Sequence, residues 1–134
     1  MRILFLDDSH DRVSDFMPNC RNHQVDFAYN AKDALEYLQN NTYDIVYLDH
    51  DLSINQSDGY YDNEDTGYDV ARKMRYMEHL HGCTVFVHTM NYEGSLNIKS
   101  VLKDCYKVYL PKDLQVRLLW TEEVETLLGV VNSL

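Results

Sequence analysis

The sequence has no apolar run approaching the roughly 20 residues that a membrane-spanning helix needs. Its opening, MRILFLDD, is apolar too briefly for the core of an export signal and reads instead as a strand. The cytoplasm is therefore the expected location, with no membrane partner. Cysteine is sparse: Cys20, Cys83 and Cys105 lack CxxC spacing, which argues against a disulfide framework or thiolate zinc site and for buried free thiols. Positive charge is short as well. Twelve Lys and Arg face 22 Asp and Glu, for a net charge of −10. That argues against broad nucleic-acid binding, which needs a basic footprint. An anionic substrate would need local Lys or Arg, or a metal ion. There is no internal repeat, low-complexity segment or linker, so residues 1–134 read as one domain. No feature speaks to oligomeric state.

What is present is a chain of alternating patterns centred on Tyr43–Leu52, YDIVYLDHDL. Tyr43–Asp49 reads as a strand apolar on both faces, typical of a parallel sheet covered on both sides. It runs straight into Asp49-His50-Asp51. Further strands are expected at Arg2–Asp7, Gln24–Tyr29, Thr84–His88 and Lys107–Leu110. Helices are expected over 10–21 (with Pro18 able to end it early), 31–40 after the cap Asn30, 67–80 after the cap Thr66, 94–104 and 121–132. The eleven tyrosines are scattered and read mostly as packing. The stretch 52–66 is a long acidic loop: a solvated face or a lid. It fails as a calcium loop from Asp62, because the twelfth position is Lys73 rather than Glu.

Five strands alternating with five helical patterns give a doubly wound, flavodoxin-like parallel sheet, order 2-1-3-4-5, with helices on both faces. Ligands bind outside the carboxyl ends of such strands. There the sequence places Asp7-Asp8, Asp49-His50-Asp51, His88-Thr89-Met90-Asn91 and Lys112.

This set resembles the receiver domain of two-component response regulators. The resemblance covers essentially the whole chain. It implies that Asp7, Asp8 and Asp49 bind Mg2+ (or another divalent cation), that Asp49 is the phosphoacceptor, and that Thr89 and Lys112 assist at the phosphoryl group. The sequence departs from ordinary receivers in three places. HDLS and an acidic loop replace the usual turn motif with Pro and Gly, Pro111 precedes Lys112 instead of following it, and His-Thr-Met-Asn follows the fourth strand. The motifs LDD, LDHDL, TGYDVA and VHTMN resemble a divergent phage and bacterial group, the cyclic-phosphate processing receiver domain. That resemblance implies a phosphoesterase, located in the host cytoplasm if phage-encoded.

The residue chemistry is compatible with this. His50 and His88 end neighbouring strands about 4.8 Å apart. Two imidazoles of unperturbed pKa about 6.5 facing one site could serve as general base and general acid in opening a cyclic phosphodiester with water. Lys112 would add a fixed cation, while Thr89 and Asn91 could hydrogen-bond the phosphate or ribose. Arg12 is placed to touch an anion. Asp51 is either a partner orienting a histidine or a turn residue. The bland readings stand beside these: packing is the alternative role for either histidine, and alternation along the strand can turn His50 away from Asp49. His10, His23, His79 and His81 read as surface residues, with His10 the exception to watch because it follows the acidic pair after the first strand. Three functions compete: hydrolysis of a small cyclic phosphate (a nucleoside or ADP-ribose cyclic phosphate), phosphoacceptor signalling through Asp49, and non-catalytic nucleotide binding.

Overall fold

The computed structural model describes residues 1–52, 66–89, 91–114 and 119–133. Most of the acidic loop, and with it the lid expectation, lies outside the described residues.

The strands are β1 (Arg2–Leu6), β2 (Gln24–Ala28), β3 (Ile45–Leu48), β4 (Thr84–Val87) and β5 (Lys107–Tyr109). They form one sheet in the order β2-β1-β3-β4-β5, and every neighbouring pair is parallel, as the alternating pattern predicts. The helices are α1 (His10–Phe16), α2 (Ala31–Asn40), α3 (Gly67–Met74), α4 (Tyr92–Leu102), α5 (Pro111–Leu114) and α6 (Val124–Asn132).

Side chains alternate across the sheet, so each central strand feeds two cores. Leu4, Leu6, Val46, Leu48, Val85 and Val87 pack into the layer that holds Ala34, Val70 and Ile98 from α2, α3 and α4. Ile3, Phe5, Ile45, Tyr47 and Phe86 pack into the opposite layer with Val13 and Phe16 of α1 and Leu127 of α6. Phe5 stacks on Phe16 at 4.1 Å between ring centroids. Both are fully buried, and truncating either would cost about 3–5 kcal/mol.

Helix starts follow their caps. The Asn30 side chain accepts from the Asp33 amide, Thr66 and Asp69 form a reciprocal capping box, and Asn91 accepts from the Gly94 amide. Helix ends differ from the sequence expectation. The first helix stops at Phe16 and tightens into a 3-10 turn over Met17–Cys20, because Pro18 has no amide to continue the α ladder. The third stops at Met74, with a separate 3-10 turn at Glu78–Leu80. The fourth begins at Tyr92, as its cap Asn91 requires. The added one-turn helix α5 opens at Pro111, a residue suited to a first helical position.

Candidate active site

The pairing register decides what meets at the carboxyl edge. Leu6 lies beside Leu48, and Leu48 beside Val87. One residue further along each strand are Asp7, Asp49 and His88. Each is two residues beyond Phe5, Tyr47 or Phe86, and so each turns to that aromatic layer. All three are buried, at 0%, 5% and 3% exposure. One donor atom from each lies within 4.8 Å of the others, a group able to hold a metal ion. The expected trio of Asp7, Asp8 and Asp49 thus differs in one member. Asp8 sits on the loop past the strand, where its carboxylate accepts from Arg12 Nη2 at 3.3 Å.

His88 donates from Nε2 to Asp7 Oδ2 at 3.1 Å, and its ring lies flat on Phe5, 4.9 Å away and 9° from parallel. Its Nδ1 is buried without a hydrogen-bond partner among the described residues. This is the environment of a held ligand or structural histidine.

Arg12 sits at the centre of the acids. Its Nε and Nη2 bind Asp7 at 2.7 and 2.8 Å, and Nη2 also reaches Asp49 Oδ2 at 3.4 Å. The sequence reading assigned Arg12 to a substrate anion; the structure gives it to the acids, because a guanidinium fork matches a buried carboxylate bidentately. The two carboxylates respond oppositely. Burial raises Asp7, but hydrogen bonds from His88 and Arg12 outweigh it and hold its carboxyl well below the usual range. Burial pushes Asp49 up to about 6, with the His88 and Arg12 charges too weak to reverse it.

A prediction follows for Arg12→Gln. Two buried acids would lose their cation, at a cost of about 1–2 kcal/mol at pH 7, discounted because the Arg12 side chain is 40% exposed. Added Mn2+ or Mg2+ should then raise the melting temperature of the variant more than that of the parent. Equal cation responses in thermal melts would show that Arg12 and a cation do not compete.

His50, one residue past Asp49, falls on the opposite side of the sheet. Its ring lies against Gly94 of α4, where an added Cβ would come within 2.5 Å of two ring carbons. The expectation that His50 and His88 face one site is therefore corrected: strand alternation turns consecutive positions to opposite faces, and His88 keeps the parity of Asp49 rather than of His50. Nδ1 of His50 donates to Asp51 Oδ1 at 2.8 Å, which holds the Asp51 carboxyl below its ordinary range. With the proton on Nδ1, Nε2 carries the lone pair. Asn91 is oriented at both ends: Oδ1 accepts from the Gly94 amide at 2.9 Å, and Nδ2 donates to Asp51 Oδ1 at 3.3 Å. Asp51 is thus the shared acceptor that fixes the imidazole. Thr89 is buried, and its hydroxyl accepts the Asn91 amide at 3.1 Å.

Two glycines make this layout possible. A Cβ at Gly67 would lie 1.9 Å from the Asp49 carbonyl oxygen, so only glycine lets α3 start against the end of β3. Gly94 leaves room for the His50 ring. For Gly94→Ala the His50 ring must move while the helix persists, and the His50 imidazole resonances are expected to shift. Unchanged imidazole resonances would show that the ring does not pack against Gly94.

Lys112 is exposed on α5, its Nζ 5.8 Å from the centroid of the Tyr92 ring. Because Pro111 starts a helical turn, Lys112 points to the start of α4; Arg12 is the cation found among the acids. Sequence reasoning missed both this role of Arg12 and the place of Gly94. The spacing from Asp8 to Arg12, one helical turn, was the available signal for the first.

Comparison with known proteins bears on this arrangement. The model of the cyclic-phosphate processing receiver domain matches residues 2–104. The chain belongs to that family. No curated protein matches it. Among solved structures it is similar to a two-component response regulator from Clostridium difficile (TM-score 0.61, 20% identity, covering 99% of this chain and 93% of that one). It is also similar to the response regulator TrrA from Thermotoga maritima in complex with Mg2+ and BeF (TM-score 0.60, 19% identity, 96% of each chain). A third is the CheY-like receiver domain protein from Methanospirillum hungatei JF-1 (TM-score 0.58, 17% identity, 98% and 97%). These identities speak to the fold: this member of the family is a receiver fold over its length. Among the described residues no helix is long and apolar enough to cross a membrane.

Proposed function

We propose that this receiver-like protein hydrolyses a small cyclic phosphate, such as a nucleoside or ADP-ribose cyclic phosphate, at the carboxyl edge of its sheet. The observation that carries the reading is the His50–Asp51 pair at 2.8 Å, which follows Asp49 directly at the end of β3. A carboxylate that fixes the tautomer of an imidazole raises its basicity and aims the other nitrogen. In this reading Nε2 of His50 takes a proton from water as the water oxygen bonds to phosphorus. The ring P–O bond opposite the incoming water opens, the departing sugar oxygen takes a proton from solvent, and the imidazolium gives its own proton up to solvent. The product is a phosphomonoester.

Asp7, Asp49 and His88 would hold a divalent cation on the other side of the sheet edge from His50, and when bound its charge would help draw the anionic substrate to this edge. The donor set fits: two carboxylates and an imidazole suit Mn2+ or Zn2+ as well as Mg2+. Arg12 keeps the acids compensated when no cation is held. Thr89 retains its hydroxyl proton for a phosphate oxygen, and Lys112 supplies positive charge at the rim beside Tyr92. Asn91 orients Asp51.

A second reading, phosphoacceptor signalling, is favoured by the position of Asp49 at the end of β3 in a receiver fold. One experiment separates the two. A panel of cyclic phosphodiesters is incubated with and without EDTA, and a parallel sample receives acetyl phosphate and Mg2+. EDTA-sensitive turnover without a mass gain on Asp49 supports hydrolysis. A stable phosphoryl adduct without turnover supports signalling.

A further inference from the structure

Away from the carboxyl edge, a groove of about 460 Å3 runs between α3 and α4, lined by Tyr68, Arg72, Lys73, Arg75, Tyr76 and Val101, among others. Tyr68, Arg72 and Tyr76 are spaced by four residues, so along α3 and the turn after it they form one tyrosine-arginine-tyrosine stripe. Tyr76 is 81% exposed, unusual for a side chain of that size. Tyr68 is half-buried against the core. The Arg75 guanidinium is held at the groove wall by the Val101 carbonyl, 2.9 Å away. Arg72 lies 4.0 Å from Asp69 and its side chain is 64% exposed. Three basic side chains stand against the one acidic lining residue, Asp69, and Arg75 is shared with Asp104 at 4.0 Å, so the groove is modestly positive on a chain whose net charge is −10.

We infer that this groove is a second ligand site, for a mononucleotide whose base stacks on the exposed tyrosine while its phosphate meets Arg72 and Lys73. Three physical points select that class. An aromatic face beside a guanidinium fork binds a planar ring and an anion together. The volume lies within the range of small-molecule sites, about 300–1,000 Å3. The strong negative charge of the chain repels a polyanion such as RNA or an anionic membrane over its whole surface, and a single phosphate far less. Nothing in the hydrolytic reading uses these residues, so the site stands or falls separately.

The test is titration of the full chain with adenosine 5′-monophosphate in EDTA, followed by calorimetry and by backbone amide shifts. Saturable binding is expected, with shifts in α3 and α4. Arg72→Gln and Tyr76→Ala, both at exposed positions and checked for parent-like circular dichroism, should each weaken it about tenfold or more. Inorganic phosphate and adenosine should each bind at least about tenfold more weakly than the nucleotide. The inference is overturned by absence of binding, by unchanged affinity in both variants, or by shifts centred on Asp49 and His50. It is equally overturned if phosphate alone binds as well, which would mark an unspecific anion contact, or if an oligouridylate binds more tightly than the mononucleotide.

Discussion

His50→Ala is expected to lower turnover of a cyclic phosphodiester by at least ~100-fold, the loss typical of removing a positioned acid or base. The fold should survive, because the His50 ring lies at the sheet edge against Gly94, with 17% of its side chain exposed, and is not buried in either core. Asp51→Asn should cost less, about 10-fold or more, since the imidazole remains and loses only its oriented acceptor. It should also move the pH profile, because the amide no longer stabilises the imidazolium that forms during the reaction. His88→Ala is expected to remove activity as well, but by a different route: loss of a donor beside Asp7, with weaker cation binding. Full activity of His50→Ala in initial-rate assays would sink the mechanism. Full activity of His88→Ala would sink only its place among the cation ligands.

The second large effect concerns Asp49. Its carboxyl ionises near 6 in the fold, against about 3.9 in an unfolded chain. The raised value means the folded state favours the protonated form. The stability this gives is fully present below about pH 4 and is lost as pH rises through about 6; above that the buried charge weighs against folding. That displacement corresponds to about 3 kcal/mol as an upper figure. Asp49→Asn should therefore be more stable than the parent at pH 8 in EDTA, by about 1–3 kcal/mol, and show no such gain at pH 4. The same variant should lose the stabilisation that Mn2+ or Mg2+ gives the parent, and should take no phosphoryl group from acetyl phosphate. Denaturant unfolding at the two pH values measures it. A variant less stable than the parent at both would mean that Asp49 is held as a needed charge instead. Cation affinity of the parent should also fall below about pH 6, as protons compete for the same oxygens.

Much of this protein was legible in its residues. Strands such as ILFL and IVYL are apolar on both faces, and only a sheet covered on both sides buries them. Alternation with helical patterns then gave the strand order, and the strand order put Asp7 beside Asp49. Two caps were readable for the same local reason: Asn30 and Thr66 bond to amides three residues away, whereas Asn91, expected at the substrate, caps the fourth helix. Helix ends were less so, since Met17–Cys20 tightened around Pro18 through geometry that the apolar period does not encode.

The division at the site is sharper. The tripeptide Asp49-His50-Asp51 declared a polar edge, and the sequence alone determined that acids and histidines would gather there. Tertiary structure alone decided how they share the work. Register and the two-residue period of a strand sent Asp49 and His88 to the aromatic layer and His50 to the α4 side. An arginine on α1 reached into the acids, and a glycine on α4 made room for a ring. These outcomes depend on which faces meet across the sheet, and no local pattern in the chain carries that information.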